Sequence, residues 1–103
     1  TSTAGVALVG GVNVIGPASI TMTNFRGIRG HLKPTVTGTF TIDWSDDPTF
    51  AAYYVRDTER EVPVTTDGIT INSGRYGDYA RLIFTAAGVG VAYGNARKDK
   101  WGN

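Results

Sequence analysis

The sequence contains no cysteine, and this absence excludes two devices that often stabilise small domains. No disulfide can cross-link the chain, and no thiolate can bind a structural metal ion. A chain of 103 residues has room for one domain with a modest hydrophobic core. We therefore expect association with other subunits to cover the apolar surface that this core leaves exposed.

A strong net charge is also missing, because the formal net charge of the whole chain is only +1. An overall field that would draw the molecule to nucleic acid or to an anionic membrane is therefore not expected. The charges are nevertheless clustered: residues 1–25 have none, residues 26–33 are basic, and residues 43–67 contain most of the acids. Opposed basic and acidic segments favour packing against neighbouring copies, although ordinary solvated side chains would give the same pattern.

Long hydrophobic runs are absent as well. The longest apolar-leaning run, residues 4–16, is interrupted by four glycines and by Asn13. It is shorter than the roughly 20 apolar residues that a membrane-spanning helix needs, and it lacks the basic start of a signal peptide. We therefore expect no membrane association and no targeting segment.

Helix-forming residues are scarce, whereas 14 glycines are spread along the chain and β-branched residues fill many apolar positions. Alternation of apolar with polar residues is clearest over residues 35–44, whose apolar positions include Val36, Phe40, Ile42 and Trp44. This pattern predicts a strand with a buried apolar face and a threonine face that contacts solvent or a partner. Together with turn signals, such patterns predict strands over residues 5–9, 12–15, 19–24, 35–44, 50–57, 61–65, 69–72, 79–86 and 89–93.

These strands predict an all-β fold, an antiparallel β-sandwich or jelly-roll-like domain that spans residues 1–103 and has no long helix. The strand over residues 79–86 is predicted to be central, because both of its faces contain apolar residues. The pair Asp67-Gly68 favours a tight turn, so we predict a hairpin over residues 63–71. The charge-free residues 1–25 are either an internal strand pair or an N-terminal arm that docks on another subunit.

Residues 94–103 are predicted to form a basic C-terminal tail with one large apolar side chain, Trp101. A tryptophan in a polar tail is typical of an anchor that fills a pocket on its own chain or on a neighbour. We therefore predict contacts between subunits at Arg97, Lys98, Lys100 and Trp101. These few cations do not predict a specific nucleic-acid site.

One acidic stretch is a candidate metal site. Asp43, Ser45 and Asp47 are spaced like the start of a calcium loop, but the glycine and glutamate that such a loop requires are missing. We instead predict a turn, in which Ser45 or Asp46 caps a single helical or 3₁₀ turn. His31 is the only histidine and has no nearby carboxylate in the sequence. Without a catalytic or cofactor-binding motif, the chain is predicted to be non-enzymatic and to use no cofactor.

The aromatic residues suggest an alternative function, a carbohydrate- or receptor-binding module of a fibre or spike. Sugar binding needs exposed rings on one face, with polar side chains nearby to bond the hydroxyl groups. The best local candidate is the group Arg75, Tyr76, Asp78 and Tyr79, which flanks a turn. The opposing interpretation is that most of these rings fill the core and its rim.

The segment "TFTIDWSDDPTF", residues 39–50, is followed after a predicted hairpin by "INSGRYGDYARLIFTAAG", residues 71–88. This combination resembles small β-sandwich accessory proteins of tailed-bacteriophage virions, of which capsid decoration (cement) proteins are the nearest type. The resemblance implies a virion component that is not an enzyme and that packs beside other subunits, either its own copies or capsid and tail proteins. It implies no particular site residues.

Overall fold

The computed structural model describes the backbone of residues 2–100 and the side chains of residues 5–99. Besides a 3₁₀ helix at Thr58–Arg60, this part of the chain forms ten strands: β1 Ser2–Leu8, β2 Gly11–Val14, β3 Ile20–Thr21, β4 Phe25–Pro34, β5 Gly38–Ser45, β6 Val55–Arg56, β7 Val62–Val64, β8 Ile69–Gly74, β9 Tyr79–Ala86 and β10 Gly90–Lys100. The predicted all-β class is confirmed. Within the same residues, no helix has the length and apolar character needed to cross a bilayer.

The strands form two sheets that pack face to face. The four-stranded sheet has the order β1-β10-β4-β8. The six-stranded sheet has the path β2-β9-β5-β6, with β3 also beside β9 and β7 also beside β5. Every pairing among the described strands is antiparallel. The arrangement is the predicted antiparallel β-sandwich, and β9 is central in its sheet as predicted.

The core lies between the two sheets and follows the alternation of the sequence. From the six-stranded sheet it receives the predicted apolar positions of β5 and β9, Phe40, Ile42, Trp44, Leu82 and Phe84. From the four-stranded sheet it receives Leu8, Ile28, Leu32 and Ile71. Burial of these side chains is the main favourable term in folding, since each contributes about 1.5–3 kcal/mol relative to full exposure.

The second face of β5 differs from the prediction. Thr41, Asp43 and Ser45 are only 3%, 0% and 2% exposed, so the face expected to contact solvent or a partner is buried. This face of β5 is covered by the segment of chain between β5 and β7, residues 46–61. The Thr41 hydroxyl donates to the carbonyl oxygen of Asp57 at 2.7 Å, and the Ser45 hydroxyl donates to that of Tyr53 at 2.8 Å. These bonds hold the cover as a loop, which is why only Val55–Arg56 of the predicted strand 50–57 is paired.

Strand β4 was not predicted, because its glycines lower its strand propensity. It nevertheless lies in the middle of the four-stranded sheet, between β10 and β8. A Cβ added at Gly30 would overlap the carbonyl oxygen of Asn95 in β10, and one at Gly27 would overlap that of Ser73 in β8. Glycine is therefore required here by the close approach of the neighbouring strands. The strand predicted over residues 19–24 is reduced to Ile20–Thr21.

The predicted hairpin over residues 63–71 is wrong, although its turn is present. The amide of Gly68 donates to the carbonyl oxygen of Thr65 at 3.0 Å, and Gly68 has a positive φ of 88°. The flanking strands join different sheets, because β7 pairs with β5 and β8 pairs with β4. Turn chemistry fixes the reversal of the chain but not the partner of each strand, and Pro63 limits β7 to an edge position because it has no amide proton.

The described parts of both terminal segments, residues 2–25 and 94–100, contribute strands to the sandwich. Strand β1 pairs with β10, and β2 and β3 pair with β9. The described part of residues 1–25 is therefore internal to the fold, as in one of the two alternatives, but β1 and β2 belong to different sheets and do not form a strand pair with each other. Residues 94–100 of the predicted basic tail continue β10, between β1 and β4. Residues 1 and 101–103, and with them the predicted anchor Trp101, lie outside the described residues.

Substitution of Gly30 tests the close approach of β4 and β10. Gly30→Ala should lower the free energy of unfolding by about 2 kcal/mol or more, because the backbone must move to admit the methyl group. Gly88→Ala is the control, because an added Cβ there meets nothing within 4 Å, and it should change stability by less than about 1 kcal/mol. Urea unfolding midpoints measure both. If Gly30→Ala and Gly88→Ala had equal unfolding midpoints, β4 and β10 would have room for a side chain between them.

Candidate functional site

A buried ion cluster lies on the outer face of the six-stranded sheet. Asp43 is 0% exposed, and its carboxylate accepts bonds from Arg56 at 2.8 and 3.1 Å and from Arg81 at 2.9 Å. These contacts follow from strand register, because Asp43 of β5 lies directly opposite Arg56 of β6 and Arg81 of β9. The Asp43 carboxylate raises the pKa of Arg56 above its ordinary value through these hydrogen bonds. Two arginines thus neutralise the one buried acid.

Aromatic rings cover the arginines of this cluster. The Arg81 guanidinium carbon lies 4.6 Å from the centre of the Phe50 ring and 4.7 Å from that of Tyr54. Phe50 is itself buried and has a positive φ of 60°, an uncommon conformation for a bulky residue. Cation–π contacts of this kind contribute most where the cation is partly desolvated. The loop between β5 and β6 is therefore fixed to the sheet by charge and by stacking.

The acidic stretch after β5 is a turn, as predicted. The Asp47 carboxylate accepts bonds from the amides of Ala52 at 2.7 Å and Thr49 at 3.0 Å, and these bonds lower the pKa of Asp47. The Ser45 hydroxyl accepts a bond from the Asp47 amide at 2.9 Å. Ser45, one of the two capping residues that were predicted as alternatives, thus accepts a bond at the start of the turn, and within the turn the Asp47 carboxylate is the acceptor. Among residues with described side chains, no group of three or more His, Cys, Asp and Glu is placed to hold a metal ion.

The basic segments of the sequence meet on the outer face of the four-stranded sheet. Arg29, His31 and Lys33 of β4 are exposed and alternate with buried Ile28 and Leu32. Residues of β10 lie directly opposite them, with Arg97 beside Arg29. We call the resulting surface the basic face, and it consists of Arg26, Arg29, His31, Lys33 and Arg97.

The basic face contains little compensating negative charge. Asp99 accepts contacts from Arg26 at 2.9 Å and from Arg29 at 3.1 Å. Arg97 forms no salt bridge with any residue that the structure describes. The Lys33 ammonium donates to the backbone carbonyl oxygen of Thr66 at 2.7 Å and forms no salt bridge with an acid among the described residues. The surface is therefore positive overall.

The residues predicted to contact other subunits are only partly in this surface. Arg97 belongs to it, whereas the Lys98 ammonium lies 4.3 Å from the centre of the Phe25 ring. The backbone of Lys100 lies opposite Phe25. Trp101 is outside the described residues. The remaining members of the basic face belong to the run of bases at residues 26–33, which is visible in the sequence. Pairing of β4 with β10 brings this run beside Arg97.

Acids are concentrated at a separate place, the edge of the six-stranded sheet. We call this surface the acidic edge, and it consists of Asp46, Asp57, Glu59 and Glu61. Arg60 forms an exposed pair with Asp57 at 3.1 Å. Glu59 and Glu61 are exposed and form no salt bridge with the residues that the structure describes. The edge therefore keeps an excess of negative charge.

A third surface is apolar and without charge. Val9, Val12, Val14 and Val89 are 60%, 54%, 41% and 81% exposed, and we call them the valine edge. Strand β2, which contributes two of them, is a terminal strand of the six-stranded sheet and contains no charged residue. An uncharged edge strand leaves backbone donors and acceptors open to pairing with another chain.

A groove of 450 Å³ lies beside the acidic edge. Its aromatic lining consists of Trp44, Tyr53 and Tyr76, and its charged lining includes Asp46, Asp57, Glu59 and Arg60. We call it the aromatic groove. The Tyr53 hydroxyl donates to the Asp46 carboxylate at 2.8 Å, which raises the pKa of Tyr53. The Arg60 guanidinium carbon lies 4.2 Å from the centre of the Tyr76 ring.

The residues predicted to stack on a sugar are only partly brought together in this groove. Tyr76 lines it and is 53% exposed. Arg75 and Asp78 instead form a pair with each other at 2.8 Å, and Tyr79 is half-buried in β9. From the sequence, Trp44 and Tyr53 were counted among the aromatic residues that could stack on a sugar, but Trp44 was assigned to the core and Tyr53 was not part of the best local candidate. The adjacent tyrosines at positions 53 and 54, shortly after the Asp-Asp-Pro turn, were the available signal.

Comparison of the chain with protein-family models, with curated proteins and with solved structures finds no match.

Substitution of Asp43 tests the buried ion cluster. Asp43→Asn should lower the free energy of unfolding by about 3 kcal/mol, because two arginines then lose the one charge that pairs with them. Arg60→Ala removes an exposed pair and should cost less than about 1 kcal/mol. Both are measured by chemical denaturation. If the two losses were equal, the cluster would be no more important than a surface ion pair.

Acid unfolding tests the turn at Asp47. The hydrogen bonds from the amides of Ala52 and Thr49 hold the folded pKa of Asp47 below the ordinary value for an aspartate. Its contribution to stability is therefore present above that value and is lost as the pH falls through the folded pKa. Between about pH 5 and pH 2, the stability of Asp47→Asn should fall less steeply than that of the wild type. If the stability of the wild type and of Asp47→Asn fell equally over this pH range, the bonds from Ala52 and Thr49 to Asp47 would not stabilise the folded state.

Proposed function

We propose that this protein is a non-enzymatic structural subunit that assembles by packing against other subunits, including copies of itself. The observation that carries this proposal is the separation of charge between two surfaces. The basic face is on the outer side of one sheet, and the acidic edge is at the border of the other sheet. Such surfaces fit each other head to tail, because the basic face of one copy can contact the acidic edge of the next.

The valine edge supplies the apolar part of this assembly. Exposed valines on an uncharged edge strand favour burial against a neighbour, and the open side of β2 can accept a strand from it. Protein interfaces typically combine an apolar centre with a polar rim. In the proposed assembly the valine edge contributes apolar area, and the two charged surfaces determine orientation.

The setting that we propose is a virion. This part of the proposal is supported by the resemblance of residues 39–50 and 71–88 to accessory proteins of tailed bacteriophages, such as capsid decoration proteins. In that setting the partners are the subunit's own copies and the capsid or tail proteins beside it. The proposed role requires no cofactor and no reactive centre, and the buried Asp43 then serves stability alone.

Charge reversal on the two surfaces tests the head-to-tail contact. One variant is Arg29→Glu with Arg97→Glu, and the other is Glu59→Lys with Glu61→Lys. Each variant alone should remain monomeric, since both of its charged surfaces then have the same sign. A mixture of the two variants should associate, because each retains one native surface and the reversed surfaces are again complementary. Sedimentation velocity of each sample and of the mixture measures the outcome.

Two controls accompany this experiment. Circular dichroism and unfolding midpoints of both variants establish that they fold. Arg75→Glu with Asp78→Lys reverses an exposed local pair that belongs to neither surface, and this variant should associate like the wild type. Self-association of the single-surface variants at wild-type strength, or a mixture that stays monomeric, would contradict the proposal.

A further inference from the structure

The aromatic groove is lined by a tryptophan, Trp44, whose indole N–H has no hydrogen-bond partner among the described residues. The indole Nε1 of Trp44 is the one buried side-chain nitrogen or oxygen, among the described residues, without a hydrogen-bond partner. A buried donor without an acceptor costs about 1–3 kcal/mol relative to a satisfied one. Buried side-chain polar groups in folded proteins nearly always have a hydrogen-bond partner, so this donor requires an explanation. Since Trp44 lines the groove, a ligand in the groove is a candidate acceptor.

The groove also offers acceptors and exposed ring faces. Glu59 is exposed and forms no salt bridge with the described residues, and Asp46 binds only neutral groups, the Tyr53 hydroxyl and the Asp78 amide. Tyr53 and Tyr76 are 48% and 53% exposed. The face of an aromatic ring carries negative potential, which attracts polarised C–H groups. A ligand for this groove must therefore accept one hydrogen bond, donate others and present a C–H surface.

We propose that the aromatic groove binds a neutral carbohydrate. Sugar hydroxyl groups both donate and accept hydrogen bonds, so one ring can bond the Trp44 indole and the carboxylate of Glu59, which forms no salt bridge with the described residues. The C–H face of a pyranose then covers Tyr76 or Tyr53. The volume of 450 Å³ lies within the range of about 300–1,000 Å³ found for small-ligand sites. Anionic sugars are disfavoured, because the lining cations Arg56 and Arg60 are paired with Asp43 and Asp57, whereas Asp46 and Glu59 form no salt bridge with the described residues.

Binding requires a small movement of Tyr76. The Nε1 atom of Trp44 is buried, so a ligand reaches it only after a neighbouring side chain has moved. The ring of Tyr76 meets that of Trp44 edge to face, with the centres 5.7 Å apart, and is half exposed. Arg60 is stacked on the same ring and paired with Asp57 on the surface. The sugar therefore displaces the Arg60 guanidinium from the face of Tyr76, and a small rotation of Tyr76, which stays in contact with the sugar, admits it to Trp44.

This site is complete within one copy of the chain, but it shares Asp46, Asp57 and Glu59 with the acidic edge, so the proposed assembly and the sugar compete for it. The monomeric variant Arg29→Glu with Arg97→Glu keeps the groove open and should therefore bind sugar at least as tightly as the wild type. Loss of assembly and loss of sugar binding are then separate results, and each proposal can fail without the other.

The test is a nuclear magnetic resonance titration of the Trp44 indole N–H signal. The variant Trp101→Phe leaves Trp44 as the sole tryptophan, so its signal is identified directly. The probes are neutral hexasaccharides of glucose (α1,4 and β1,4), of mannose (β1,4) and of N-acetylglucosamine (β1,4), with hexagalacturonic acid as the anionic probe. We expect a saturable shift of the Trp44 signal with at least one neutral probe and no shift with the anionic probe.

Two variants locate the binding. Tyr76→Ala should weaken the binding of the active probe by about tenfold or more, as expected for a central aromatic contact. Glu59→Ala, an exposed change that does not endanger folding, should weaken it several-fold. The matched control is Tyr93→Ala, which removes a tyrosine that is 40% exposed and lies in β10, outside the groove. An unmoved Trp44 signal with every neutral probe, an equal response to the anionic probe, or an equal loss in Tyr93→Ala would each overturn the proposal.

Discussion

The carboxylate of Asp43 is the point at which β5, β6 and β9 are held together. A buried carboxylate is costly unless it is fully paired, and here two arginines from the neighbouring strands pair with it. Arg56 in turn begins the segment that leads through the 3₁₀ helix to β7. The same ion cluster therefore fixes the loop that covers the outer face of the six-stranded sheet, and it places Tyr53, Asp57 and Arg60 where they line the aromatic groove.

The distribution of surface charge follows from strand pairing. The bases of β4 and β10 are distant in sequence, and the direct pairing of Arg29 with Arg97 brings them onto one face. The acids between β5 and β7 stay at the border of the other sheet, because only short pieces of that segment pair with β5. A chain with almost no net charge thereby acquires two surfaces of opposite sign. This separation is the physical basis of the proposed assembly.

Much of the fold was predictable, because alternation and turn chemistry are local signals. Phe40, Ile42 and Trp44 show the core face of β5 directly, and Asp67-Gly68 shows the turn. Strand β4 escaped prediction because Gly27 and Gly30 are explained only by the neighbours that approach them. The burial of Asp43 escaped prediction for a similar reason, since its partners are 13 and 38 residues away in the chain.

The candidate surfaces were less predictable than the fold. Arg97 was predicted from the sequence to contact other subunits, and strand pairing shows only that the other members of the basic face lie on β4. Tyr76 was found as an exposed ring, whereas Trp44 lines both the core and the groove and was assigned to the core alone. Surfaces are formed by residues that meet only after the sheets have formed, and their members share no spacing in the sequence.

The mass of the wild-type protein in solution tests the central claim most directly. Multi-angle light scattering over a range of protein concentration, at about 20 mM and about 500 mM salt, separates charge-driven from apolar association. The account predicts an average mass above 11.0 kDa that rises with protein concentration at low salt. At high salt this mass should fall towards 11.0 kDa. A mass of 11.0 kDa under every condition would contradict it.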